Sequence, residues 1–333
     1  MRHLSTSAAD GSARLVKRRT SLGGVLATAV GLSLCLGGAF YWHPFWFIRK
    51  SIRAWLRLAG VRSEYVQLGS FRIHFLVGGR GRPLVLVHGL GGRAENWATL
   101  IPSLMRHGHR IFALDLLGFG QSERPGVDYS IRLQVKILRQ FIDSQQLQHA
   151  DLGGWSMGGW VSLKFALEYP HLVRRIFLVD SAGINFDFPD GPGLFQPESV
   201  EQVQHLMRLL TPQAHRIPRF VARDMISEMR PTRPVVQRLM ESMMTRADLL
   251  DGKLCNIRVP VLLLWGKQDG LIPVACGQEM HRQLPHSVLT IFDGCGHLAP
   301  AESAARLLPE ILHFLEAEPP LPSAVREFPR VAP

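Results

Sequence analysis

Six nearly continuous apolar runs punctuate this 333-residue chain, at Leu84–His88, Ile111–Asp115, Leu152–Trp155, Ile176–Asp180, Val261–Trp265 and Val288–Phe292. A strand that is apolar at almost every position must be covered on both faces, as in a parallel sheet sandwiched between helices. Helical patterns lie between the runs, among them Ile131–Ile142, Val161–Glu168 and Leu307–Leu315. Such alternation predicts an α/β domain with a doubly wound, mostly parallel sheet over residues 64–183 and 251–318. Val66–Val77, turning at Gly69-Ser70, reads as a hairpin at its front.

Residues 184–250 break the rhythm. They hold no buried strand but three proline-punctuated helical segments, Val200–Leu210, Arg219–Glu228 and Val235–Thr245. The interval is too long for a loop and reads as a helical cap. The tail at 319–333 is expected to be flexible.

The net charge of +11 suggests a nucleic-acid or membrane partner until it is located. Residues 1–62 carry ten Lys or Arg and one acid, whereas the other 271 residues carry 28 against 26. A near-neutral body argues against nucleic acid. A basic segment, 1–20, leads into residues 21–48, which contain no Asp, Glu, Lys or Arg. That run is long enough to span a bilayer, and it closes on Tyr41, Trp42, Trp46 and Phe47, residues suited to a membrane interface. A single-pass membrane anchor is expected. A signal peptide cleaved near Gly37-Gly38-Ala39 is the competing reading. Basic residues are balanced on the two flanks, so orientation stays open. Residues 49–63 then read as a basic juxtamembrane helix, either resting on lipid or standing as a solvated stalk. The four cysteines show neither paired nor metal-like spacing.

The chemistry centres on Gly154-Trp155-Ser156-Met157-Gly158. Here a strand passes into a helix, and the turn crowds the backbone around the serine. Glycines two before and two after relieve the crowding, which is the logic of a nucleophile elbow. Ser156 is therefore the expected nucleophile. Its base must be a histidine, and of the 14 only His297, in Gly294-Cys295-Gly296-His297, follows the last strand-like run in a glycine-rich turn. Asp269, in Trp265-Gly266-Lys267-Gln268-Asp269, lies just past the penultimate strand and is the expected acid. Asp180, after the strand following the serine, is the rival, and Asp293 reads as a turn residue. His88-Gly89-Leu90-Gly91-Gly92 can aim the Leu90 N–H at a developing oxyanion, with Met157 N–H as the second donor. His88 is expected to brace this loop. No metal or cofactor is implied: H-E-x-x-H is absent, and Gly118-Phe119-Gly120 is a turn.

In this order, these motifs resemble the α/β-hydrolase superfamily over about residues 64–317, and Leu114-Asp115-Leu116-Leu117-Gly118-Phe119-Gly120-Gln121-Ser122 resembles the family's turn after the fourth strand. A membrane segment ahead of such a domain is similar to the membrane-anchored monoacylglycerol lipases. The resemblance implies serine-dependent hydrolysis of an acyl ester or monoacylglycerol-like lipid. Epoxide hydrolases and haloalkane dehalogenases share several motifs, but Ser156 stands where they use aspartate. Cleavage of a carbon–carbon bond in a ring-cleavage product is the alternative within enzymes, and a catalytically silent ligand-binding protein the alternative outside them. Six of the ten methionines fall in 184–250, as a cap lining for apolar ligands or as the cap's own core. Every expected catalytic residue lies beyond Arg62, so that portion is expected to be soluble without detergent and active on a short, soluble ester.

Overall fold

The computed structural model describes residues 37–329 apart from 39, 189, 213–215, 298–299 and 301–303. The chain divides into two compact units, 1–42 and 43–333. Of the first, residues 37–38 and 40–42 are described, and they are helical. The expected membrane anchor thus lies largely outside the described residues. Among those described, no helix is long and apolar enough to cross a membrane.

The second unit opens with helix α1 (Pro44–Leu58). Phe45, Ile48, Ile52 and Leu56 recur at three- and four-residue spacing and form one apolar stripe. Residues 44–48, read from the sequence as the end of the anchor, belong to this amphipathic helix instead. The expected juxtamembrane segment 49–63 is corrected likewise: the helix stops at Leu58, and strand β1 begins at Arg62.

Nine strands form one sheet: β1 (Arg62–Leu68), β2 (Phe71–Gly78), β3 (Arg82–Val87), β4 (His109–Leu114), β5 (Ala150–Trp155), β6 (Val173–Val179), β7 (Val261–Gly266), β8 (Ser287–Phe292) and β9 (Ala324–Phe328). Their order is β1-β2-β4-β3-β5-β6-β7-β8-β9. The β1–β2 and β2–β4 pairs are antiparallel, and every later pair is parallel. The sheet is the mostly parallel one that the apolar runs predict. Within β3, Val85 and Val87 enter one core and Leu84 and Leu86 the other. Alternate side chains point to opposite faces, so burial on both faces fills the run.

One core lies under α3 (Ile131–Ser144), α4 (Met157–Glu168) and α8 (Val274–Gln283), the other under α2 (Ile101–Arg106) and α9 (Ala304–Glu316). Between β6 and β7 come α5 (Val200–Leu210), α6 (Arg219–Met229) and α7 (Arg233–Met244). The tail expected to be flexible supplies β9, which adds to the β8 edge. Backbone pairing drives this, helped by Phe328 stacking on Phe292 and by Arg326 bonding Glu310.

Candidate active site

Ser156 sits where β5 ends and α4 begins, with φ 54° and ψ −119°, in the left-handed half of backbone space. Such a conformation costs about 1–3 kcal/mol and must be held by its surroundings. The Ser156 N–H donates to Val179 O at 3.0 Å, and its carbonyl accepts from Gly159 and Ala182. Both flanking glycines are steric necessities. A Cβ on Gly158 would lie 2.1 Å from Val87 O, and one on Gly154 would lie 2.6 Å from Gly158 O.

His297 is buried, and its Nδ1 donates to Asp269 Oδ2 at 2.8 Å. The other carboxylate oxygen of Asp269 accepts the N–H groups of Leu271 and Ile272, each at 2.8 Å. Three donors thus converge on a buried carboxylate and fix its orientation. The bond to Nδ1 leaves the imidazole Nε2 as its acceptor nitrogen. The two loops meet closely, since a Cβ on Gly266 would lie 2.5 Å from Gly296 O. Trp155 Nε1 donates to His297 O at 3.0 Å, tying the histidine loop to the strand that bears the serine.

Asp180 stands beside this pair: one polar atom from each of Asp180, Asp269 and His297 falls within 4.8 Å of the others. Its Oδ1 accepts the Gly266 N–H at 2.8 Å, at the end of β7. It braces the strand that delivers Asp269. Asp293 accepts the side-chain amide of Gln268 and the Gly294 N–H, as a turn residue does.

The glycine-rich loop after β3 lies against the serine: a Cβ on Gly89 would come within 3.1 Å of Ser156 Cβ. Among the described residues, neither Leu90 N–H nor Met157 N–H has an acceptor. His88 Nδ1 donates to Gly89 O at 2.7 Å and its Nε2 accepts Leu116 N–H at 3.0 Å. Burial lowers the His88 pKa, with the Asp115 charge opposing. The ring is therefore a neutral brace.

Two cavities open on Ser156. One, of about 310 Å3, is lined by Met157, Phe186, Phe188, Met240, Met243 and Met244 among others. The other, of about 350 Å3, is lined by His297, Met225 and Met229 and by Phe45, Ile48 and Ile52 of α1. Both sizes suit small-molecule sites. Five of the six methionines in 184–250 line one cavity or the other.

Helix α1 was missed as part of this site, although its stripe at 45, 48 and 52 is legible in the sequence. It is fastened at three points along its length. Asp224 of α6 accepts the Phe45 N–H at 2.8 Å, satisfying an orphan donor and placing an acid at the helix N-terminus. Arg49 forms a bidentate pair with Glu228 of α6, and Arg53 bonds Glu95, just beyond the glycine-rich loop.

Residues 82–304 match the model of the alpha/beta hydrolase fold family. The chain is an α/β-hydrolase. Among curated relatives of this hydrolase is the 2-hydroxy-6-oxo-2,4-heptadienoate hydrolase of Pseudomonas putida, 33% identical along a 258-residue alignment that covers 72% of this chain and 91% of the relative. Among solved structures, a provisionally assigned lipase from Acinetobacter baumannii superposes with a TM-score of 0.72 at 25% identity, covering 81% of this chain and 95% of that one. A membrane phospholipase A shares the fold with a TM-score of 0.71 at 24% identity, over 88% of the hydrolase and 98% of its own chain.

Proposed function

We propose that the protein is a serine hydrolase that cleaves carboxylic esters of apolar acyl chains through an acyl-enzyme on Ser156. The observation that carries this reading is the buried Asp269–His297 pair opening onto the same apolar cavity as a serine at a strained strand–helix turn. His297 takes the hydroxyl proton as Ser156 attacks the carbonyl, and Asp269 holds the ring and balances its charge. The N–H groups of Leu90 and Met157 receive the oxyanion, preorganised in a site shielded from water. His297 returns its proton to the departing alcohol, and water then cleaves the acyl-enzyme. The run at 21–43, free of Asp, Glu, Lys and Arg, supports an anchor that would hold the site near membrane lipid.

The 33% identity to a hydrolase of a ring-cleavage product favours a second reading, carbon–carbon bond hydrolysis by the same residues. A dienoate substrate carries a carboxylate and calls for a free cation. Arg49 and Arg93 both face Glu228, which leaves Arg246, exposed on the first cavity's rim.

The test is a set of esters with two to twelve acyl carbons, run beside a 2-hydroxy-6-oxo-dienoate, with Ser156→Ala as control. We expect kcat/KM to climb along the ester series, each buried methylene contributing up to ~0.8 kcal/mol, and Ser156→Ala to remove activity. A steady fall from acetate, with brisk dienoate cleavage weakened by Arg246→Ala, would overturn the ester reading. Failure of a fluorophosphonate to label Ser156 would make the protein a silent binder.

A further inference from the structure

The two cavities share Leu90, Ser156 and Phe195 and then diverge. Met157 lines only the first, and His297 only the second. This asymmetry has a chemical meaning, resting on the ester reading above. An ester carbonyl seated on Ser156 points its oxygen at the Leu90 and Met157 N–H groups. Its leaving oxygen must receive a proton from His297, because an alkoxide is too basic to depart unprotonated from a water-poor site. The alcohol half of the ester therefore lies on the His297 side, in the second cavity, and the acyl half extends into the first, among the methionines and phenylalanines.

Part of the apolar lining of the second cavity comes from outside the catalytic core. Phe45, Ile48 and Ile52 of α1 supply it, together with Met225 and Met229 of α6. The charged groups lining this cavity are engaged: Arg49 is bonded to Glu228, which Arg93 also faces, and Glu95 accepts from Arg53. A glycerol or other polar alcohol would leave its hydroxyls facing hydrocarbon there, whereas an alkyl chain would bury apolar surface on both sides.

We propose that α1 forms the leaving-group subsite, and that the substrate is an ester whose alcohol carries an apolar chain of its own. Phe45, Ile48 and Ile52 are then specificity-determining residues for the alcohol, as Met240, Met243 and Met244 are for the acyl group. The step balances as an ordinary hydrolysis: the acyl–oxygen bond breaks, the alcohol leaves with the proton His297 took from Ser156, and water supplies the hydroxyl of the released acid.

The experiment uses the full chain and two ester series, each substrate kept below its aggregation concentration. One series fixes a butanoyl group and lengthens the alkoxy chain from ethyl to octyl; the other fixes an ethoxy group and lengthens the acyl chain. We expect kcat/KM to rise at least about tenfold along the alkoxy series. Ile48→Trp, which fills the second cavity from a half-exposed position, should abolish that rise and leave the acyl dependence standing. Met243→Trp should do the reverse. A flat alkoxy series beside a rising acyl series overturns the proposal and leaves the ester reading intact. So does an alkoxy rise that survives Ile48→Trp, or an Ile48→Trp effect confined to the acyl series. Absence of cleavage in both series overturns the ester reading and the proposal with it.

Discussion

The guanidinium Nε of Arg53 lies 2.6 Å from Glu95 Oε1, joining α1 to the segment just beyond the glycine-rich loop, 42 residues on. The Glu95 side chain is only 4% exposed. Its Oε1 accepts from Arg53, while its Oε2 has no partner among the described residues. The carboxylate therefore depends on this one cation. Arg53→Ala strands a buried charge and should lower unfolding stability by about 1–3 kcal/mol. Adding Glu95→Gln should recover most of the loss, and denaturant titration of the three proteins checks both. Equal instability in the single and double variants would mean that the Arg53 stem, by packing, contributes the effect.

Asp269 and Asp180 lie side by side but face different partners. Asp269→Asn presents the wrong hydrogen-bonding group to His297 Nδ1 and should lower kcat by roughly 10³–10⁴. Asp180→Asn weakens a bond to the Gly266 N–H and should cost about tenfold or less, through the position of the loop. Ester hydrolysis by the two variants decides it. The reverse ranking would move the acid to Asp180.

A protein shortened to begin at Arg62 keeps Ser156, Asp269 and His297 but loses the wall that α1 gives the second cavity. The expectation drawn from the sequence alone, of a soluble portion active on a short, soluble ester, does not extend to esters of longer alcohols. The shortened protein should be less stable, should bind a hydrophobic dye through exposed cavity residues, and should lose kcat/KM on octyl esters more than on ethyl esters. Unchanged selectivity between these alcohols is the outcome that would remove α1 from the site.

Acid should weaken the scaffold behind the glycine-rich loop through Asp115. Burial alone would raise its pKa, but the hydrogen bond and charge of His74, with a lesser contribution from His88, hold it below the ordinary carboxylate value. Its carboxylate also accepts the Ala94 and Gln121 N–H groups. Because the folded value is depressed, Asp115 contributes stability in full above the unfolded value of about 4 and loses it as pH falls below that. Denaturant titrations at pH 7 and pH 3 should show a smaller drop between the two for Asp115→Asn than for the parent protein, which starts more stable.

Much of this was legible in the residues, for reasons that also explain what was not. Strands β3 to β8 stand out because both faces are buried, so that Leu84 and Val85 are equally apolar. Ser156 stands out because its turn demands two glycines. Strand β9 was hidden because it is an exposed edge: Val325 and Phe328 remain accessible, and backbone pairing leaves no apolar pattern. The place of helix α1 in the site was hidden because its stripe begins inside an uncharged run, and the partners that define its face, Asp224 and Glu228, lie far along the chain. Asp269 and Asp180 were both placeable at the carboxyl edge of the sheet. What separates them is a local loop that delivers two backbone N–H groups to Asp269 alone.

The fastening of α1 to the cap sets an order of events during synthesis. Arg49 and its partner Glu228 are 179 residues apart in sequence. At 5–20 residues per second, a ribosome needs roughly 10–35 s to make the second after the first. Throughout that interval Phe45, Ile48 and Ile52 have no cap to rest against. The cap-facing part of this helix must therefore dock late, and until the cap is made its apolar residues stay exposed to chaperones, to a membrane surface or to other nascent chains.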